Sequence, residues 1–141
     1  MKTVYKKLLT TVVFSLPLAF VGKVAAHHSA SMFDFVNCKT LTGSVTKLKW
    51  VYPHSWLWIE VDSDGDKQAW GFEFMSPVQA MGLDSRWKRD AVKAGDQVTV
   101  RFGPARDGQH AGAMASVTLP DGYVLPGSPG ICGNPRSSTQ Q

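Results

Sequence analysis

The stretch SWLWIEVDSDGDKQAWGFEF, residues 55–74, decides the fold of this chain. Two sets of side chains alternate along residues 55–61: Trp56, Trp58 and Glu60 form one set, and Leu57, Ile59 and Val61 form the other. Such alternation is typical of a β-strand, since successive side chains point to opposite faces of the sheet. Residues 62–66 contain Asp-Gly, the usual chemistry of a hairpin turn. Residues 68–74 put Trp70, Phe72 and Phe74 on one face, so the stretch predicts a β-hairpin.

Further strands are predicted on both sides of this hairpin. Residues 41–50 read as a first strand, which Tyr52-Pro53 ends because proline cannot donate to a ladder. Ser76-Pro77 is typical of a helix start, and Gly82 ends that short helix. Residues 97–102 and 113–119 read as two more strands, with a short strand at 123–125. Trp87 and residues 90–94 are expected to add a further helical turn.

The order of these elements is three strands, a helix and two strands. This order predicts an all-β chain with one short helix, folded as a small OB-like five-stranded barrel. Closure also removes the exposed edges of a small β-protein. The alternative is a β-sandwich with one helical crossover.

The first 26 residues read as a secretory signal peptide. Lys2, Lys6 and Lys7 precede an apolar stretch over residues 8–21, and Val24-Ala25-Ala26 supplies the small residues that a signal peptidase reads. The apolar stretch is shorter than the roughly 20 residues of a membrane helix. We therefore expect a periplasmic or secreted protein that begins at His27 and keeps no membrane anchor after cleavage.

Cleavage changes what the charge implies. The chain has 15 basic and 11 acidic residues, and four lysines but no acid leave with the signal peptide. The mature chain then has 11 of each and no net charge. The basic character thus belongs to the targeting segment, and nucleic acid is not an expected partner.

About 115 residues remain after cleavage. Residues 27–125 suit one small domain, and residues 126–141 form a tail rich in Pro, Gly and Ser. Cys38 and Cys132 lie near the two ends, and in an oxidising compartment such a pair favours a disulfide. Closing so long a loop would stabilise the fold by about 4–5 kcal/mol in the entropic model. A two-thiol metal site is the alternative, but the two cysteines lack close ligand spacing.

The histidines supply the candidate chemistry. Cleavage before His27 frees an α-amine beside its own imidazole, and His28 adds a second imidazole. His54 follows Tyr52-Pro53, which fixes its place between the first two strands, and Met32 is a weaker thioether donor. Nitrogen-rich sets of this kind favour Cu(II), so copper at His27, His28 and His54 is the metal hypothesis. The alternative is that the first two histidines form a polar leader and that His54 donates to a backbone carbonyl. His110 reads as a solvated loop residue.

Other functions have weaker support. The acids at residues 62–66 are spaced like the start of a calcium loop, but Lys67 stands where that loop needs glycine. The aromatic side chains fill the barrel core, or else expose a surface for a small apolar ligand or a partner, which would make the chain a structural or adaptor protein. No catalytic motif is present, and Glu73 and Asp90 have no evident partner, so nothing argues for an enzyme.

Several motifs resemble a family of small exported bacterial proteins classed only as a domain of unknown function. The shared segments lie at residues 27–29 (HHS), 33–34 (FD), 41–45 (LTGSV), 53–56 (PHSW), 76–77 (SP), 87–90 (WKRD), 93–96 (KAGD) and 117–122 (VTLPDG). The resemblance covers nearly all of the mature chain. It implies a periplasmic location and one small β domain, and it implies no activity. The paired cysteines, the tail and His110 depart from the usual pattern.

Overall fold

The computed structural model describes residues 32–133, so the predicted signal peptide, His27, His28 and residues 134–141 lie outside the described residues. The elements are β1 (Lys39–Lys49), β2 (Ser55–Ser63), β3 (Asp66–Phe74), α1 (Pro77–Leu83), β4 (Gln97–Pro104), β5 (Ala111–Thr118) and β6 (Val124–Pro126). Every predicted strand and the predicted helix are present. Within residues 32–133, no helix is long and apolar enough to cross a membrane.

The strands form one sheet in the order β3-β2-β1-β4-β5-β6, and β3 also pairs with β5. That last pairing is parallel, from Gly71 opposite Ala111 to Glu73 opposite Ala113, and it closes β1–β5 into a barrel. The other strand pairs are antiparallel. The predicted OB-like five-stranded barrel is confirmed, and the alternative β-sandwich is wrong.

The β2–β3 hairpin has the register that its sequence predicts. Ser55 pairs with Phe74 and Ser63 with Asp66. Asp64 and Gly65 have φ values of 55° and 86°. Positive φ at both central residues is the requirement of a type I′ turn, which is why Asp-Gly suits this position. The turn interpretation of residues 62–66, rather than a calcium loop, therefore agrees with the structure.

The barrel interior contains the inward-facing set of each strand. Its fully buried side chains are Leu57, Ile59, Phe72, Phe74, Val98, Val100, Phe102, Met114, Val117 and Leu125. Trp87 lies against this core, with its ring 4.9 Å from that of Phe74, and its Nε1 donates to Pro126 O. Burial of these large side chains is the main stabilising contribution to the barrel.

The helical turn predicted around Trp87 and residues 90–94 is wrong. This segment consists of separate hydrogen-bonded turns, including Ala91 N to Lys88 O and Asp96 N to Lys93 O. Asp96 also accepts from Lys93 N with its side chain. The buried Trp87 indole fixes the segment by tertiary packing, and the local side-chain bond competes with helix formation.

A second, smaller apolar layer covers the outside of β5. We call residues 32–38 and 127–133 the terminal layer. Its apolar contacts join Ala113, Ala115, Ile131 and Cys132 to Phe33, Phe35 and Cys38. The predicted disulfide between Cys38 and Cys132 is confirmed, and it links residues 94 positions apart.

Backbone contacts also hold the terminal layer on the barrel. Asp34 N donates to Pro104 O, and Ser128 N donates to Met114 O. Gly103 permits the close approach of residue 34, since a Cβ there would lie 2.5 Å from Asp34 O. The described part of the predicted tail is thus irregular in backbone but packed against β5.

Candidate functional site

An open cleft of about 730 Å³ lies at one end of the barrel. The β1–β2 loop contributes Tyr52, Pro53 and His54, and the β4–β5 loop contributes Arg106, Asp107 and Gln109. These are the two loops that flank the ligand surface of OB-type barrels. The cleft therefore occupies the position where OB-type barrels usually bind their ligands.

The walls of the cleft are mostly apolar. The barrel provides Trp56, Phe74, Ala111 and Ala113, and the terminal layer provides Met32, Phe33, Phe35 and Ile131. The cleft thus lies on the boundary between the two regions. Its shape depends on the terminal layer staying in place.

His54 and Glu73 form the polar pair of the cleft. Nδ1 of His54 is in hydrogen-bond contact with Oε1 of Glu73. Their side chains are 44% and 19% exposed. His54 directly precedes β2, whereas Glu73 stands on β3 opposite Trp56. A strand-borne carboxylate therefore holds the loop histidine against the barrel.

Sequence reasoning missed the partnership of Glu73. The hairpin register pairs Trp56 with Glu73, and His54 precedes Trp56 by two residues. Alternation puts all three on the outer face, and Glu73 then lies diagonally across from His54. Diagonal neighbours are within reach of long side chains, so the hairpin register is sufficient to predict the contact between Glu73 and His54.

Charged groups fasten the terminal layer beside the cleft. Arg106 Nε donates to Phe33 O at 3.2 Å, and Arg106 Nη1 lies 3.9 Å from Asp34 Oδ2. Asp34 accepts from the backbone and side chain of Asn37 and from Val36 N, which lowers its pKa to about 2 with a smaller contribution from Arg106. Hydrogen bonds that favour the charged carboxylate have this effect. Asp34 is thus a local cap for the layer.

The predicted metal ligands are only partly within the described chain. His54 and Met32 both line the cleft, whereas His27 and His28 lie outside the described residues. Among residues 32–133, no three His, Cys, Asp or Glu side chains group closely enough to hold a metal ion. His110 stacks on Trp70, with the ring centres 4.6 Å apart, and does not line the cleft.

The tryptophans divide between the two faces of the sheet. Trp56 and Trp58 stack on the outer face with ring centres 5.6 Å apart, and Lys47 lies over Trp58. Trp70 instead packs inward against Phe72 and Phe102. Trp56 and Trp58 thus form a half-exposed patch that continues from the cleft wall.

These features define the chain as a small disulfide-bonded OB-like barrel with an open cleft at its loop end. A model for a family of unknown function (DUF6152) matches residues 17–115, and the chain belongs to this family. No curated protein and no solved structure matches the chain.

Proposed function

We propose that this protein is an exported binding module that binds Cu(II) at the cleft. His54 supplies an imidazole ligand there, and the mature N-terminus supplies the amine and imidazole of His27 and the imidazole of His28. Imidazole and amine nitrogens are the donors that favour Cu(II) among divalent ions. The proposal includes export to the periplasm, where cleavage before His27 creates the amine.

One observation carries this proposal. Met32, the first described residue, lines the same cleft as His54. His27 stands five positions before Met32, and five residue steps of extended chain span at most about 17 Å. This short tether supports a mature N-terminus that reaches His54.

Copper titration of the processed protein tests the site. Mass spectrometry first verifies a start at His27, and a competition assay then measures Cu(II) affinity. We expect His54→Ala, and separately one extra residue before His27, to weaken binding about 10-fold or more, as loss of ligands does.

His110→Ala is the matched control, because it removes another exposed loop histidine. Wild-type affinity in both altered proteins would refute the site, and so would a mature start several residues away from His27.

A small apolar ligand is the second candidate. The specific observation is the largely carbon-lined cleft, which continues onto the stacked Trp56 and Trp58. Ligand pockets are commonly apolar with a few placed polar groups, and here His54 and Glu73 are those groups. In this function the histidines at the mature N-terminus have no role. The ligand could also be an apolar side chain of a partner protein, and the chain would then act as an adaptor.

A neutral fluorescent probe distinguishes the two candidates. Binding of N-phenyl-1-naphthylamine to metal-free protein is expected to fall at least threefold in Trp56→Ala if the cleft takes apolar ligands. Val78→Ser is the control, since Val78 is a 58% exposed apolar residue on α1 and does not line the cleft. Equal binding to both variants would exclude the cleft as an apolar site.

A further inference from the structure

We propose that the outer face of β1, β2 and β3 is a binding surface for a small aromatic anion, meaning a planar ring system that carries one negatively charged group. Trp56 and Trp58 bind the ring, and Lys47 and Lys49 bind the anionic group. The ligand thus differs from the uncharged apolar ligand considered above, and its binding does not require copper.

The strand register brings these side chains together in two adjacent rows. In one row Lys49 is opposite Trp56, and in the next row Lys47 is opposite Trp58. Gly71 continues the second row on β3, where it is opposite Trp58. Directly opposite residues share one face of a sheet, and their Cβ positions are about 4.5–5.5 Å apart. Each lysine therefore borders one indole, and the two rows form a continuous patch.

The two indoles are stacked, and part of their surface is exposed. Their ring centres are 5.6 Å apart, and their planes differ by 21°. Gly71 lets Trp58 lie against β3, since a Cβ at that position would lie 2.9 Å from Trp58 Nε1. Neither indole N–H of the pair donates a hydrogen bond within residues 32–133, whereas the buried Trp87 donates to Pro126 O. The pair therefore presents apolar ring surface together with two N–H donors.

The charge beside the indoles is positive. Both lysine side chains are exposed, and Lys47 Nζ lies 5.7 Å from the centre of the Trp58 ring. Within the described part of the chain, neither Lys47 nor Lys49 forms an ion pair. Lys49 also lines the cleft, so the positive charge lies where the patch meets the cleft wall. Charge complementarity therefore selects a ligand with a negative group.

The acidic residues of the same face limit the size of the anion. Glu60 follows Trp58 by two residues along β2, and Glu73 is opposite Trp56. Both carboxylates have partners other than the two lysines, but they border the patch with negative charge. A single anionic group beside the lysines is therefore favoured. A single-stranded nucleic acid, which OB-type barrels also bind by base stacking, would bring its chain of phosphates against these carboxylates.

A matched pair of fluorescent probes tests the charge preference. 1-Anilinonaphthalene-8-sulfonate and N-phenyl-1-naphthylamine share one ring system, and only the first carries a sulfonate group. With purified, metal-free protein at low salt, we expect the sulfonate probe to bind about 10-fold more tightly, and added salt to reduce this preference by screening. Equal affinity for the two probes in the wild type would overturn the proposal and would leave the neutral apolar ligand as the better candidate.

Lysine substitutions locate the charge preference on this face. The double variant Lys47→Gln, Lys49→Gln should bind both probes with similar affinity, because it keeps the indoles and loses the positive charge. Lys93→Gln is the control, since Lys93 is an exposed lysine that lies outside these three strands. It should retain the wild-type preference. A wild-type preference in the double variant would overturn the assignment of the lysines.

Trp58→Ala separates the outer face from the cleft. Trp58 does not line the cleft, whereas Trp56 does. We expect Trp58→Ala to weaken binding of the sulfonate probe about threefold or more, as loss of an aromatic contact does. Wild-type affinity in this variant would place the probe in the cleft alone and would overturn the outer-face site.

Competition distinguishes the two classes of aromatic anion. We expect 1-naphthoate, a small aromatic carboxylate, to displace the sulfonate probe from the wild type at a lower concentration of anionic groups than a short thymidine oligonucleotide does. The reverse order would overturn the proposal in favour of single-stranded nucleic acid.

Discussion

The barrel interior and the terminal layer bury apolar side chains in different ways. The interior packs large residues such as Leu57 and Phe72, which are fully buried and come from strands that alternate regularly. The terminal layer sets half-buried Phe33 and Phe35 against Ala113 and Ala115, and it is joined by a disulfide. The barrel is therefore stabilised by its own burial, whereas the layer depends on a covalent link and a few hydrogen bonds.

The cleft takes one wall from each region. Trp56 and Glu73 belong to the barrel, and Phe33 and Ile131 belong to the terminal layer. A ligand in the cleft would therefore contact the barrel wall, which orients His54, and the wall formed by the more weakly held terminal layer. Perturbations of the two regions should have separable effects on stability.

The largest effect is expected from the barrel interior. Phe72→Ala removes a fully buried ring and should lower the free energy of unfolding by about 3–5 kcal/mol. Phe35→Ala in the terminal layer should cost only about 1 kcal/mol, because its ring is half-buried. Urea denaturation measures both. Similar losses in the two variants would mean that the regions form one core.

Removal of the disulfide comes next. The double variant Cys38→Ala, Cys132→Ala should cost about 2–5 kcal/mol, the usual range for removing a native disulfide from a small domain, with the entropic value at its upper end. Hydrogen exchange should show faster exchange at Asp34 N and Ser128 N, the layer's hydrogen bonds to the barrel. Amides of Leu57 and Phe72 should stay protected until global unfolding. Equal loss of protection in the barrel would contradict a separable layer.

The smallest effect is the titration of Asp34. Its pKa is lowered from 3.8 to about 2, so the carboxylate contributes stability that is fully present above about pH 4. That contribution is lost as the pH falls through about 2. NMR should show Asp34 titrating near 2, with the amides of Val36 and Asn37 exchanging faster below that pH. Asp34→Asn should remove this pH dependence, and an Asp34 pKa near 3.8 would show that the cap is absent.

The hairpin was predictable because its information is local. Alternation over residues 55–61 and the Asp-Gly turn determine which faces are buried, and proline and serine mark the start of α1. Barrel closure followed from the order of elements, although nothing local in β3 specifies its parallel pairing with β5.

The terminal layer was less predictable because its contacts are long-range. Phe33 bridges to Ala105, and Cys38 to Cys132, with no periodic pattern to reveal which surface they cover. Of the site, His54 was identified from its fixed place after Pro53. Glu73 was missed since its pairing with His54 runs diagonally across two strands.

The proposed function resides at the cleft beside His54. Sub-stoichiometric Cu(II), added to ¹⁵N-labelled protein that starts at His27, broadens the amide signals nearest the bound ion. We predict that His54, Glu73 and Phe33 broaden first, while Asp64 and Gly65, which follow β2 about 33 Å along the strand from His54, stay sharp. Broadening centred on the Asp64-Gly65 hairpin, or no selective broadening at His54, would contradict the account.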